Sequence, residues 1–170
     1  MHMIHVHSID CLILVVALVL TQLQGIIYDL DGVIPIAEEK IREVQIQNRV
    51  SFVAGDYNKD ELPGGCDLAL LSAVIHQNSP EQNLNLFHKV YRTLELGGAL
   101  LIRDQVMDTT RTRPAMGALF ALNMLVSTSA GDTYTFDEIK GSLEMAGFEK
   151  VEMLMTGETM DCLTEARKLK

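Results

Sequence analysis

The sequence contains no tryptophan and few other aromatic residues, and basic residues are in the minority. An aromatic share of 5% offers few side chains on which nucleic-acid bases could stack. With 14 Lys and Arg against 23 Asp and Glu, the net charge of -9 would repel phosphate groups. We therefore expect a protein that does not bind nucleic acid.

Cysteine is also scarce, and its spacing excludes two classes of small domain. The three cysteines are Cys11, Cys66 and Cys162. Because their number is odd and no CxxC pair occurs, neither a disulfide framework nor a cysteine-rich zinc site is expected. Three unpaired thiols suit a reducing compartment, so we expect a cytoplasmic protein.

Long hydrophobic runs are missing, apart from the ten apolar residues at 11–20. A membrane-spanning helix needs roughly 20 such residues. A signal peptide is not indicated either, because no basic residue precedes the run and 21–24 is a poor cleavage site. The sequence therefore predicts a buried core element at 11–20 and no membrane association.

Strand-like and helix-like patterns alternate along the chain, whose 170 residues are 48% hydrophobic. Strands are predicted at about 26–30, 50–54, 67–74, 99–103, 151–155 and 160–166. Helices are predicted from Pro35, after capping-box sequences at 79–82 and 135–138, and over 112–128. This alternation predicts one Rossmann-like α/β domain, a mostly parallel sheet with helices on both faces. We place the domain at 25–170 and treat 1–24 as an atypical apolar segment.

Polar residues follow four of the predicted strands. They are Asp29, Asp56, His76 and Asp104. In parallel sheets, ligands bind beyond the carboxyl ends of the strands, so these side chains are expected to share one crevice. Several carboxylates beside one imidazole suit a neutral-to-cationic ligand that is rich in hydroxyl and amino groups.

Six segments carry a family resemblance. They are YDLDGVI (28–34), RVSFVAGDY (49–57), LPGGCDLALLSAVIHQNSPEQ (62–82), LFHKVYRTLELGGALLIRDQVMD (86–108), ALFALNMLVSTSAGDTYTFDEI (118–139) and LEMAGFEKVEM (143–153). In this order they resemble the catalytic domain of the S-adenosylmethionine-dependent O-methyltransferases of the caffeate, hydroxyindole and polyketide-tailoring type. The resemblance implies a class I methyltransferase sheet with an antiparallel C-terminal strand, and S-adenosylmethionine as cofactor.

The resemblance also implies roles for individual residues. The cofactor would be bound by Asp29, Leu30, Gly55, Asp56, Tyr57 and Ser72. Asp29 would accept hydrogen bonds from the ribose hydroxyls and Asp56 from the adenine amino group, while Tyr57 would lie against the adenine ring.

In the same resemblance, His76 would be the general base for a small hydroxylated acceptor, aromatic or polyketide-like. Asp104 would hold that histidine, although the family usually has the longer Glu there. The acceptor pocket would be lined by Met116, Phe120, Asn123 and Met124.

The sequence departs from the family pattern at its beginning. The glycine-rich cofactor loop should fall near residues 4–11, yet no glycine precedes Gly25. The helical domain through which these enzymes dimerise is not part of the sequence, so a homodimer is expected only from the resemblance. Gln77 stands where the family commonly has an acidic residue after the catalytic histidine. Thr133 falls near the position where a second catalytic carboxylate is usual.

Three alternatives remain open. A non-catalytic remnant of such an enzyme would explain the missing glycine loop. The string at 26–33 also resembles the opening motif of haloacid-dehalogenase-type phosphatases, with Asp29 as nucleophile and Asp31 as acid/base. In that family a Ser or Thr motif, here Ser72, comes before an acidic pair. The acidic string at 55–60 instead precedes Ser72, so the order is wrong. A metal site at His2, His5, His7 and Asp10 is less favoured than a frayed terminus, and no metal site is expected.

Overall fold

The computed structural model describes residues 1–6 and 22–170 of the chain. The strands are β1 (His2–Val6), β2 (Gln24–Asp29), β3 (Val50–Ala54), β4 (Cys66–Ser72), β5 (Leu94–Asp104), β6 (Val106–Met107), β7 (Tyr134–Thr135), β8 (Glu149–Met155) and β9 (Cys162–Arg167). The helices are α1 (Ile34–Glu43), α2 (Pro80–Thr93), α3 (Ala115–Ser127) and α4 (Phe136–Met145), with a 3₁₀ helix at Ile75–Gln77. The element predicted at 11–20 lies outside the described residues.

Seven strands form one sheet in the order β3-β2-β1-β4-β5-β9-β8. The first five in this order pair in parallel, and β9 pairs antiparallel with both β5 and β8. The predicted sheet, mostly parallel with an antiparallel C-terminal strand, is therefore confirmed. Strands β6 and β7 pair with each other in a separate two-stranded ribbon.

Helices cover both faces of the sheet, as predicted. On β4, Ala69 and Leu71 pack in a core cluster with residues of α2 and α4, whereas Leu70 packs in a second cluster with Ala37 and Ile41 of α1. This division follows from the strand itself, because successive side chains point to opposite faces.

The amino terminus is part of this sheet. Strand β1 lies at its centre, between β2 and β4, and Met3, Ile4 and Val6 are buried. The expectation of a frayed terminus is therefore wrong for residues 2–6. The strand was missed because a five-residue segment with two histidines gives a weak strand pattern.

Both predicted capping boxes form. Ser79 and Thr135 each accept a hydrogen bond from the backbone three residues later, and the side chains of Gln82 and Glu138 bond back to the cap residues. Satisfying the free N–H groups of a first turn fixes where a helix starts. Among the described residues, no helix is long and apolar enough to span a membrane.

Candidate active site

The carboxyl ends of four parallel strands bring the predicted polar residues to one edge of the sheet. Asp29 is the last residue of β2 and Asp104 the last of β5, while Asp56 follows β3 and His76 follows β4. The edge is held together locally, since the backbone N–H of Gly55 donates to the carbonyl of Asp29 at 2.9 Å. Asp29 and Asp56 line one cavity at this edge, whereas His76 and Asp104 do not line it.

A cavity of about 230 Å³ opens at the ends of β2 and β3. Its lining consists of Tyr28, Asp29, Leu30, Gly55, Asp56, Tyr57, Asn58 and Gln77. Five of the six residues predicted to bind the cofactor are in this set. Ser72 is not, because it is buried within β4, where its hydroxyl accepts a hydrogen bond from the Arg103 guanidinium at 3.1 Å.

The two carboxylates of this cavity differ in their surroundings. Asp29 is buried, and its Oδ1 accepts from the backbone N–H of Leu30 at 2.7 Å. Asp56 shapes its own loop: it accepts from the N–H of Asn58 at 2.9 Å and pairs with Lys59 at 2.8 Å. The hydrogen bond from Lys59, helped by that from Asn58, lowers the pKa of Asp56. Asp56 is therefore a charged hydrogen-bond acceptor at neutral pH.

Tyr28 was not predicted as a site residue, although it lines the same cavity. Its hydroxyl is buried and finds no hydrogen-bond partner within the described part of the chain. Burial raises the pKa of Tyr28 to about 12, with the charges of Asp60 and Asp56 acting in the same direction. Glycine at position 55 leaves room for Tyr28, because a Cβ there would overlap the Tyr28 ring and hydroxyl unless the tyrosine moved.

His76 and Asp104 form a buried pair. The distance between His76 Nδ1 and Asp104 Oδ1 is 2.8 Å, and the two residues are only 5% and 1% exposed. The other oxygen of Asp104 accepts from the backbone N–H groups of Val74 and Ile75 at 3.1 and 3.0 Å. A carboxylate that accepts several hydrogen bonds is fixed in position, so it can hold the imidazole in one orientation.

The short side chain of Asp104 reaches the histidine because the chain turns sharply after β4. Ala73 has a positive φ of 57°, a conformation that is uncommon outside glycine, and its N–H donates to the carbonyl of Arg103 at 2.9 Å. The following 3₁₀ helix then places His76 against the end of β5. In this arrangement the aspartate side chain reaches the imidazole, although it is one methylene shorter than the glutamate usual in the family.

Asn78 links the histidine segment to Tyr57 of the cavity at Asp29, and sequence reasoning missed it. Its Oδ1 accepts from the Tyr57 hydroxyl at 3.2 Å, and its Nδ2 donates to Asn83 Oδ1 at 3.0 Å. Its backbone carbonyl accepts from the Tyr134 hydroxyl. Asn78 is buried, and a buried polar network in which each member has a partner holds one conformation.

One aromatic side chain of helix α3 packs against the histidine. The ring of Phe120 lies edge-on to the ring of His76, with 4.9 Å between ring centres. Of the other predicted acceptor-pocket residues, Met124 is buried in the helix packing, whereas Met116 and Asn123 are exposed. The structure therefore brings Phe120 to the histidine and leaves Met116 and Asn123 facing solvent.

Two alternatives from the sequence concern metal binding and phosphatase chemistry. Of the residues of the metal alternative, His7 and Asp10 lie outside the described residues. Within residues 1–6 and 22–170, no group of three or more His, Cys, Asp or Glu side chains could hold a metal ion. Asp31 is exposed and does not line the cavity beside Asp29, and Ser72 is bonded to Arg103.

Comparisons with known proteins identify the family. Residues 12–149 match the model of the O-methyltransferase domain. Acetylserotonin O-methyltransferase from Bos taurus is 36% identical over 145 residues, which cover 85% of this chain and 41% of that protein. The 3-hydroxy-5-methyl-1-naphthoate 3-O-methyltransferase from Streptomyces sahachiroi is 34% identical over 129 residues, 76% of this chain and 37% of that protein.

Solved structures agree with this result. An O-methyltransferase family 2 protein from Planctomyces limnophilus, in complex with apigenin, superposes with a TM-score of 0.89 at 28% identity, over 98% of this chain and 50% of that one. Human N-acetylserotonin methyltransferase in complex with SAM superposes with a TM-score of 0.84 at 25% identity, over 99% of this chain and 48% of that one. The chain thus spans about half the length of these structures and about two fifths of the curated relatives. The chain belongs to the O-methyltransferase family.

Proposed function

We propose that this chain is the catalytic domain of an S-adenosylmethionine-dependent O-methyltransferase that acts on a small aromatic or polyketide-like hydroxyl compound. The observation that carries the proposal is the buried His76–Asp104 pair beside the acidic cavity at Asp29 and Asp56. The relatives whose names give acetylserotonin and 3-hydroxy-5-methyl-1-naphthoate as O-methylation substrates support the acceptor class.

The residues of the cavity fit the nucleoside part of the cofactor. Asp29 and Asp56 provide acceptors for ribose hydroxyls and for an adenine amino group, and Tyr57 offers a ring face. Gly55 lets the backbone approach closely, where a side chain has no room. Of residues 4–11, where the family's glycine-rich loop was expected, 4–6 belong to β1 and the others lie outside the described residues. When bound, S-adenosylmethionine supplies an electrophilic methyl group.

The histidine is arranged to take a proton. With Nδ1 donating to the Asp104 carboxylate, Nε2 is left as the acceptor for the hydroxyl of the substrate. A phenol of pKa near 10 is a weak nucleophile at neutral pH, and a base within hydrogen-bond distance increases its reactivity. Asp104 stabilises the imidazolium that forms, and the Phe120 ring shields it from water on one side.

Calorimetric titration of the full chain with S-adenosylhomocysteine tests the cofactor site. We expect Asp29→Asn to weaken binding about 10-fold to 100-fold, because hydrogen bonds to a charged acceptor contribute about 1.5–3 kcal/mol. Asp31→Asn is the matched control, since it removes the same charge two residues away, at an exposed position outside the cavity. Equal affinities for the two variants would contradict the assignment of Asp29.

The same titration separates the enzyme from a non-catalytic remnant. A folded chain, judged by circular dichroism, that produces no heat with S-adenosylhomocysteine would favour the remnant. A chain that binds S-adenosylhomocysteine should, when supplied with S-adenosylmethionine, transfer the methyl group of that donor to a phenolic acceptor and release S-adenosylhomocysteine. The cytoplasmic location and the homodimer stay predictions, and sedimentation over a range of concentrations tests the latter.

A further inference from the structure

A second and larger cavity, of about 490 Å³, lies between the first turns of α2 and α4. It shares no lining residue with the cavity of about 230 Å³ at Asp29. Its volume falls within the range of pockets that bind small molecules. None of its lining residues is among those predicted to bind the cofactor or to line the acceptor pocket.

The floor of this cavity is apolar. Leu84 and Phe87 of α2 face Ile139 and Met145 of α4 across it. The Tyr134 ring also lines it, although its hydroxyl is already bonded to Asn78. An apolar floor with aromatic rings favours a ligand that has a hydrocarbon or aromatic body.

The mouth of the cavity is acidic. Four carboxylates line it, those of Glu81, Asp132, Asp137 and Glu138, against the single guanidinium of Arg111. Arg111 is paired with Asp132 at 3.2 Å and with Glu138 at 2.5 Å. Glu81 and Asp137 are exposed, and neither has an ion-pair partner in the part of the chain that the structure describes.

Two carboxylates without an ion-pair partner in the described residues lie above an apolar floor, and they select the charge of the ligand. An anion would meet like charge, since Glu81, Asp137 and Glu138 already occupy the first helical turns, where the helix dipole favours a negative group. A cation could approach both carboxylates while its apolar part contacts Phe87 and Leu84. We propose that this cavity is a second ligand site, which binds an organic cation with an apolar body, such as a primary arylalkyl amine.

A matched series of probes tests the charge preference. Calorimetry of the full chain would compare 4-phenylbutylamine, 4-phenylbutanol and 4-phenylbutyrate. All three have a phenyl ring on an alkyl chain, and their terminal groups are cationic, neutral and anionic, respectively. We expect the amine to bind about tenfold more tightly than the alcohol, since each exposed ion pair adds at most a few-fold, and the carboxylate not to bind. Equal binding of amine and alcohol, or no binding of the amine at about 10 mM, would overturn the proposal.

Gly141 provides a way to fill the cavity without disturbing the fold. It lines the cavity within α4, and a Cβ added there meets no described atom within 4 Å. Leucine is also the better helix former, so Gly141→Leu should fold at least as stably as the wild type. We expect it to abolish binding of 4-phenylbutylamine, and unchanged binding would show that the amine binds elsewhere.

Charge variants complete the test. The double variant Glu81→Gln with Asp137→Asn should reduce the affinity for 4-phenylbutylamine to that for the alcohol. Glu144→Gln removes a carboxylate from α4 outside the cavity and should leave the affinity unchanged. Titration with S-adenosylhomocysteine should be the same for all these variants, so failure of this proposal is distinguishable from failure of the cofactor site.

Discussion

The segment that carries His76 and the helix α3 beside it are held in very different ways. The histidine segment is buried and bonded on all sides, to Asp104, to Asn83 and to Tyr134. Helix α3 touches the histidine through Phe120, yet it exposes Leu119, Leu122, Leu125 and Val126 by 60% to 85%.

This contrast shows that contacts within the chain hold His76 in place, whereas they leave one face of α3 exposed. The geometry of the proposed base is determined by hydrogen bonds within the chain, so it does not depend on another surface. Helix α3 is apolar on most sides, a pattern typical of helices that are covered on both sides. Exposed apolar patches of this kind mark interaction surfaces, so this helix offers a face to another molecule.

Replacing His76 is expected to have the largest effect. His76→Ala should lower kcat of methyl transfer about 100-fold to 10,000-fold, the contribution typical of a positioned general base. The affinity for S-adenosylhomocysteine should be unchanged, because His76 does not line the cavity at Asp29. Steady-state kinetics and calorimetry on the same preparation provide both values.

His88→Ala is the control for this prediction, since His88 is exposed on α2. It should keep full activity. If His76→Ala retained most of the activity, the buried pair would be structural only, and the contrast with α3 would say nothing about catalysis.

Tyr134 anchors the histidine segment, and its removal should have an intermediate effect. Tyr134→Phe loses the hydrogen bond to the Asn78 carbonyl, which should lower the free energy of unfolding at pH 8 by about 1 kcal/mol. Burial, together with the charges of Asp132 and Glu138, raises the pKa of Tyr134 to about 12.

The raised pKa gives this contribution a defined pH dependence. The folded state favours the neutral phenol, so the stabilisation is complete below the unfolded pKa of about 10 and is lost as the pH rises towards 12. Urea unfolding of both proteins from pH 8 to 12 should show the difference between them shrinking over this interval. A difference that stays constant would contradict the raised pKa.

The sequence predicted those parts of the molecule that depend on periodicity and on strand ends. Asp29, Asp56 and Asp104 could be found because a polar residue directly after an apolar run marks the carboxyl end of a strand. The antiparallel C-terminal strand came from the family resemblance rather than from any local pattern.

Other features depend on contacts between distant residues, and local patterns do not reveal these. Asn78 reads as a turn residue in the sequence, and its partners lie 5, 21 and 56 positions away. Ser72 precedes the turn that leads to His76, but its side chain faces Arg103 instead of the cavity. On α3, an almost uniformly apolar sequence gives no period, so the position of Phe120 against the histidine could not be distinguished from that of Met116.

The smallest effects are expected on the exposed side of α3. Leu125→Lys should change the free energy of unfolding by no more than about 0.5 kcal/mol, because Leu125 is 72% exposed and leucine and lysine have similar helix propensities. Met124→Lys, one position earlier, buries an unpaired charge and should cost several kcal/mol. Urea unfolding of the two variants measures the contrast on one helix. A large loss for Leu125→Lys would mean that this side of α3 is packed in solution, and the exposed face would then not be a surface left for another molecule.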